Sequence, residues 1–145
     1  MSSPFVMIIF GATGDLAERK LIPSLFSLFK QKKLPPDFFI IGFSRRYLSD
    51  LEFRPYFKKL SRNKNWKDFS SHLFYQQGSF GEKEGYTGLL AKLEEIDKKM
   101  GVCITRFFYL ATPPKHYETI LDYLFSTKLY LGCGHDDSKW TRLII

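Results

Sequence analysis

The chain has 145 residues, enough for one domain with a real core, and sets 22 Lys and Arg against 15 Asp and Glu for a net charge of +7. Its 44% hydrophobic content, with 15 Phe and 8 Tyr, excludes a disordered chain, while no run approaches the roughly 18 apolar residues of a membrane span. The start MSSPFVMIIFGATG lacks the basic region of a secretory signal, and Cys103 and Cys133 lack CxxC spacing, so the expectation is a soluble cytoplasmic protein with two free thiols.

Phe5–Phe10 is an apolar run of strand length that stops at a glycine. The turn that follows, GATGDLA, places Gly11, Gly14 and Ala17 three apart, with Asp15 where a helix would begin. Glycines there allow a tight turn and a close approach of backbone amides to a pyrophosphate. A small Ala17 lets helix and strand pack closely, and the helix N-terminus adds partial positive charge. The spacing GxxGxxA is a variant of the dinucleotide fingerprint. Leu21, Leu25, Leu28 and Phe29 then form a core-facing helical stripe, which Pro23 should break or restart. The basic run Lys30 to Lys33 closes that helix, where cations suit the macrodipole.

Phe38–Phe43 is the second strand, and it runs into Ser44-Arg45-Arg46. An acidic residue after this strand would hold an unphosphorylated ribose. Arg45 and Arg46 instead offer forked guanidinium donors to a phosphate dianion, which favours NADP over NAD. Ser49 and Glu52 make a capping box for a second helix expected to run toward Lys59. Leu73–Gln76 is a third strand. Tyr86, Leu89, Leu90, Leu93 and Ile96 form the next helical stripe; Arg106–Leu110 is a fourth strand; Tyr117, Ile120, Leu121, Leu124 and Phe125 form another stripe. Leu129–Trp140 reads as a loop, and His135-Asp136-Asp137 within it as a turn and no metal site. Leu143–Ile145 reads as a buried strand, and because domains seldom end inside one, the chain is expected to be the front of a longer protein. The alternation predicts an α/β fold, a doubly wound Rossmann-like parallel sheet with helices on both faces, forming one NADP-binding domain over residues 1–145.

FGATGDLAERKLIPSLF, IIGFSRRYL and RFFYLATPP together resemble the amino-terminal coenzyme domain of the glucose-6-phosphate dehydrogenase family, in register from about Phe5 to Ile145. The pattern GxxGDLAxRKLxPxL is much more specific than the glycines alone. The resemblance implies an oxidoreductase that oxidises glucose 6-phosphate to 6-phosphoglucono-δ-lactone with NADP⁺, opening the pentose phosphate pathway, in a homo-oligomeric parent enzyme. It implies that Gly11, Ala12, Thr13, Gly14, Asp15, Leu16, Ala17 and Glu18 form the coenzyme loop. Thr13 and Arg45, with Arg46 beside them, would meet the adenosine 2′-phosphate; Tyr109, Pro113 and Pro114 would lie along the coenzyme; Lys20 would reach the sugar substrate. The family's EKPFG and DHYLGK segments and its catalytic histidine have no counterpart in this sequence, since His72, His116 and His135 do not match that base. No catalytic residue is therefore expected in this chain, which should bind NADP without turnover.

Three other readings compete. A short-chain reductase or epimerase shares the glycine turn, but no tyrosine here has a lysine four residues later. A nucleic-acid or regulatory binding protein would use the positive charge, which is instead scattered and lacks an RNP or helix-turn-helix pattern. A non-catalytic NADP-binding domain fits the same residues as the dehydrogenase. The favoured reading has glucose 6-phosphate as partner, and neither nucleic acid nor membrane.

Overall fold

The computed structural model describes residues 3–131 and 141–145. Five strands, β1 (Phe5–Phe10), β2 (Phe38–Ser44), β3 (Leu73–Gln77), β4 (Thr105–Leu110) and β5 (Thr141–Ile144), form one sheet in the order β3-β2-β1-β4-β5. All four pairings are parallel. The chain thus winds outward first to one side of β1 and then to the other, as expected for a doubly wound fold.

The sheet is covered on both faces, and strand alternation sorts residues between two cores. Ile9, Ile40, Phe38 and Tyr75 pack with α1 (Ile22–Lys30), α2 (Asp50–Phe53) and α3 (Trp66–Ser70) through Phe26, Phe53, Trp66 and Phe69. Ile8, Phe10, Ile41 and Phe43 pack with α4 (Lys83–Met100) and α5 (Tyr117–Ser126) through Tyr86, Leu89, Ile120 and Leu124. β1 is central because its side chains are apolar on both faces. Its last residue lies in register with Phe43 of β2 and Leu110 of β4, so the three strands end level and deliver Gly11, Ser44 and Ala111 to one edge.

Several expectations need correction. The capping box at Ser49 and Glu52 is present, yet α2 ends at Phe53 and tightens into a 3₁₀ turn over Arg54–Tyr56. Pro55 explains this: it has no N–H to continue the ladder, and its ring crowds the carbonyl one turn back. The short helix α3 is not among the expected elements; its Trp66 and Phe69 are buried in the core on the α1 side. Phe125 is 61% exposed and Leu28 37% exposed, so both stripes are narrower than their apolar residues suggest. β5 pairs only with β4 among the described strands, and Leu143 is 43% exposed instead of buried. Cys103 is disulfide-bonded and not a free thiol. The only other cysteine, Cys133, and the His135-Asp136-Asp137 turn lie outside the described residues.

Arg106, counted above as the first residue of the fourth strand, is a buried ion. Its guanidinium is 2% exposed and donates to the Asp97 carboxylate at 3.1 Å and to the Leu129 carbonyl at 3.0 Å. Asp97 also accepts the Ile104 amide at 3.1 Å, which ties the end of α4 to the start of β4.

Candidate functional site

The level ends of β1 and β4 mark the place where strand order reverses, and the crevice there is where an open parallel sheet binds ligands. The chain leaves β1 through Gly11 at φ +88°, a conformation costly for any residue with a Cβ. A Cβ at Gly11 would lie 2.5 Å from the Ala111 carbonyl oxygen, so this glycine also lets the loop after β1 meet the end of β4. The Gly11 and Ala12 amides both donate to the Phe43 carbonyl, at 2.9 and 3.3 Å, which stitches the turn to β2.

The first helical hydrogen bond runs from the Glu18 amide to the Gly14 carbonyl at 3.1 Å. The amides of Asp15, Leu16 and Ala17 precede that ladder, as the first amides of a helix do. The Thr13 carbonyl, one turn before Ala17, accepts the Tyr56 hydroxyl at 2.9 Å. These amides and the helix N-terminus are what an anion at this edge would meet. Gly14 lacks the positive φ of Gly11; a Cβ there would meet only the Gly11 carbonyl oxygen, at 3.1 Å. The helix then widens into a π-turn over Ala17–Leu21 before α1 starts, with the Ile22 amide reaching back to the Ala17 carbonyl. Pro23 stands in the first turn of α1, so the expected restart is there, and the widened turn accommodates its ring and missing donor.

Across the crevice, the end of β2 has been cleared of acceptors. The Ser44 carbonyl accepts the Gly78 amide at 2.8 Å, the Arg45 carbonyl accepts the Gln77 side-chain amide at 3.0 Å, and the Arg46 carbonyl accepts the Tyr75 hydroxyl at 2.8 Å. With the Phe43 carbonyl engaged by the turn, four successive carbonyl dipoles are held by protein donors and none is left to repel an anion. Burial pushes the Tyr75 phenol above its ordinary range, so it stays a neutral donor. Arg45 and Arg46 are exposed, and the Arg46 guanidinium lies 6.0 Å from the Tyr56 ring. Thr13 and Ser44, 31 residues apart in sequence, share a hydrogen bond of 2.7 Å between their hydroxyls.

The structure therefore brings Thr13, Ser44, Arg45 and Arg46 to one side of the crevice, with Gly11 through Glu18 forming its floor. Asp15 is exposed and pairs with Arg19 at 3.1 Å, a contact of little energetic weight at the surface. Tyr109 pairs with Ile9 across the strands and packs half-buried on the α1 side, one residue before the edge. Pro113 and Pro114 lead from the end of β4 toward α5 through a short 3₁₀ turn. Lys20 is exposed on the π-turn and makes no ion pair among the described residues. Beside the turn, a groove of about 780 Å³ runs between Glu18, Arg19 and Pro23 on one wall and Tyr56 to Leu60 on the other. His72 stacks on Phe38 and bonds its carbonyl at 2.8 Å, at the sheet edge opposite the crevice. Ser44, Tyr56, Tyr75 and Gln77 escaped the sequence reading. Ser44 was adjacent to the arginines and thus within reach of it, whereas the others join the site only through tertiary contact.

The family described as "Glucose-6-phosphate dehydrogenase, NAD binding domain" matches residues 8–145. The glucose-6-phosphate 1-dehydrogenase of Chlamydia muridarum is 38% identical over 98% of this chain and 30% of its own length; that of Chlamydia pneumoniae is 39% identical over 98% and 29%. A solved glucose-6-phosphate dehydrogenase in complex with its substrate glucose-6-phosphate superposes with a TM-score of 0.84 at 30% identity, covering 97% of this chain and 30% of that one. A Mycobacterium avium glucose-6-phosphate 1-dehydrogenase, at 21% identity and a TM-score of 0.71, shares the fold. The chain spans about 30% of the length of the relatives it matches.

Proposed function

The chain belongs to the NAD-binding-domain family of glucose-6-phosphate dehydrogenase, and we propose that residues 1–145 are the NADP-binding domain of an enzyme that oxidises glucose 6-phosphate to its lactone. The observation that carries this reading is the cleared end of β2: four engaged carbonyls with Thr13, Arg45 and Arg46 beside them, in place of an acidic residue. Such a site gives a phosphate dianion charge-assisted hydrogen bonds that a ribose hydroxyl cannot match, which favours NADP over NAD.

The pyrophosphate would lie against the amides of Asp15 to Ala17, with Gly11 and Ala12 shaping the turn and Gly14 leaving room for the approach. Leu16 and Glu18 lie on the exposed side of the same turn, and Tyr109 with the prolines would flank the coenzyme from β4. Held there, the coenzyme would supply the hydride acceptor for oxidation at C1 of the sugar. The chain's own part is to hold that acceptor at a fixed edge of the sheet, with positioning worth several orders of magnitude in rate. Lys20, exposed on the π-turn just past the loop and without an ion pair among the described residues, is the group proposed to meet the sugar phosphate substrate. Among the described histidines, His72 faces away at the opposite edge and His116 packs against Phe80, so neither is offered as the base.

The test is titration of the chain with NADP⁺ and NAD⁺. Arg45→Ala is expected to weaken NADP⁺ by about 1.5–3 kcal/mol, the range for a charge-assisted hydrogen bond, and to leave NAD⁺ nearly unchanged. Equal losses for both would remove Arg45 from the 2′-phosphate.

A further inference from the structure

The Ser44–Thr13 contact has a direction that burial decides. Ser44 is 6% exposed, and among the described residues its hydroxyl oxygen has two partners within hydrogen-bond distance: the Arg46 amide, which donates to it at 3.5 Å, and the Thr13 hydroxyl at 2.7 Å. A buried hydroxyl proton without an acceptor is costly. Among the described residues, the acceptor within hydrogen-bond distance of the Ser44 hydroxyl is the Thr13 oxygen. Thr13 is half-buried at the crevice, and once its oxygen accepts from Ser44 its own proton is free to point outward. The bonds then run one way, from the Arg46 N–H to the Ser44 hydroxyl, from Ser44 to Thr13, and from Thr13 into the crevice. Each donor in such a series is strengthened by the one behind it.

The backbone on both sides holds this series still. Tyr56 fixes the Thr13 carbonyl, and Gly78, Gln77 and Tyr75 fix the carbonyls of Ser44, Arg45 and Arg46. Neither hydroxyl has to reorganise when an anion arrives.

From this geometry we infer that Ser44 is a positioning residue for cofactor choice: it orients the Thr13 hydroxyl as a dedicated donor to the 2′-phosphate of NADP without touching the phosphate itself. The inference rests on the proposed 2′-phosphate site and adds to it a residue that acts through another. Its signature is coupling. Removing Ser44 should cost NADP⁺ binding only while Thr13 can donate.

The experiment measures NADP⁺ and NAD⁺ dissociation constants by calorimetric titration for the 145-residue chain and for Ser44→Ala, Ser44→Cys, Thr13→Val and the Ser44→Ala/Thr13→Val double variant. Near-ultraviolet circular dichroism checks folding, and Ser44→Cys keeps the volume should Ser44→Ala disturb the strand end. Ser44→Ala is expected to weaken NADP⁺ about 3- to 10-fold with NAD⁺ unchanged, Thr13→Val to weaken it about 10-fold, and the double variant no more than Thr13→Val alone. An unchanged NADP⁺ constant in Ser44→Ala and Ser44→Cys, equal losses for the two cofactors, or losses that simply add would overturn the role of Ser44. If Thr13→Val itself leaves the NADP⁺ to NAD⁺ ratio unaltered, the 2′-phosphate site is wrong and the inference falls with it.

Discussion

Gly11 and Gly14 look equivalent in the motif, yet replacing each by alanine should fail in different ways. At Gly11 the new Cβ meets two costs. The backbone sits at φ +88°, which asks roughly 1–2 kcal/mol of an L-residue. The Cβ also falls 2.5 Å from the Ala111 carbonyl oxygen, a contact to backbone and not to a flexible side-chain tip, so β4 or the turn must move; overpacking of this kind costs about 1–3 kcal/mol. Together Gly11→Ala should destabilise by about 2–5 kcal/mol and lower the melting temperature by about 4–20 °C for a domain of this size. Gly14 has no positive φ, and its Cβ would meet only the Gly11 carbonyl oxygen at 3.1 Å, which a few tenths of an ångström of movement relieves. Gly14→Ala should therefore stay within about 1 kcal/mol of the parent, because alanine also favours the helix that starts there. The bulkier Gly14→Val should keep the fold and lose cofactor binding, since its branched side chain lies where a pyrophosphate approaches the backbone. Thermal and urea unfolding, each paired with NADP⁺ titration, separates the two failures. A Gly11→Ala variant as stable as the parent would refute the reading of the turn, and a Gly14→Val variant that binds normally would make the loop merely structural.

Three further outcomes are expected. Asp97→Ala strands the 2%-exposed Arg106 guanidinium with one carbonyl partner, so urea unfolding should show a loss of about 3–5 kcal/mol, largely recovered by replacing both residues with leucine. Burial raises the phenol pKa of Tyr75 and Tyr86, so folding favours their neutral forms. That contribution is complete below the unfolded value near 10 and is lost as pH rises through the folded values, so the urea midpoint should hold to about pH 9 and fall beyond about pH 10, less steeply in Tyr86→Phe. Finally, the 145-residue chain should bind NADP⁺ without forming NADPH when saturated with glucose 6-phosphate; steady turnover, followed by absorbance, would require a base among its own histidines.

The sequence by itself determined the fold class, the strand positions to within a residue or two, and the turn at Gly11, because these rest on local causes. An apolar run of strand length buries both faces, glycine permits the turn, and Pro23 interrupts a helix wherever it stands. It also placed Arg45 and Arg46 at the end of β2, since a strand end is itself a local feature. Tertiary structure decided what those local features face. Tyr56 reaches the Thr13 carbonyl across 43 residues, Tyr75 reaches that of Arg46 across 29, and the hydroxyl pair of Thr13 and Ser44 exists only because β1 and β2 end level in register. Arg106 is the same lesson reversed. A cation inside an apolar strand reads as an exception until the end of α4 supplies Asp97, and no periodicity reveals that partner, because the contact depends on where a helix finishes relative to the strand that follows it. Local patterns carry the backbone's preferences; the donors that engage the carbonyls of Phe43 to Arg46 come from neighbours that only the folded sheet brings together.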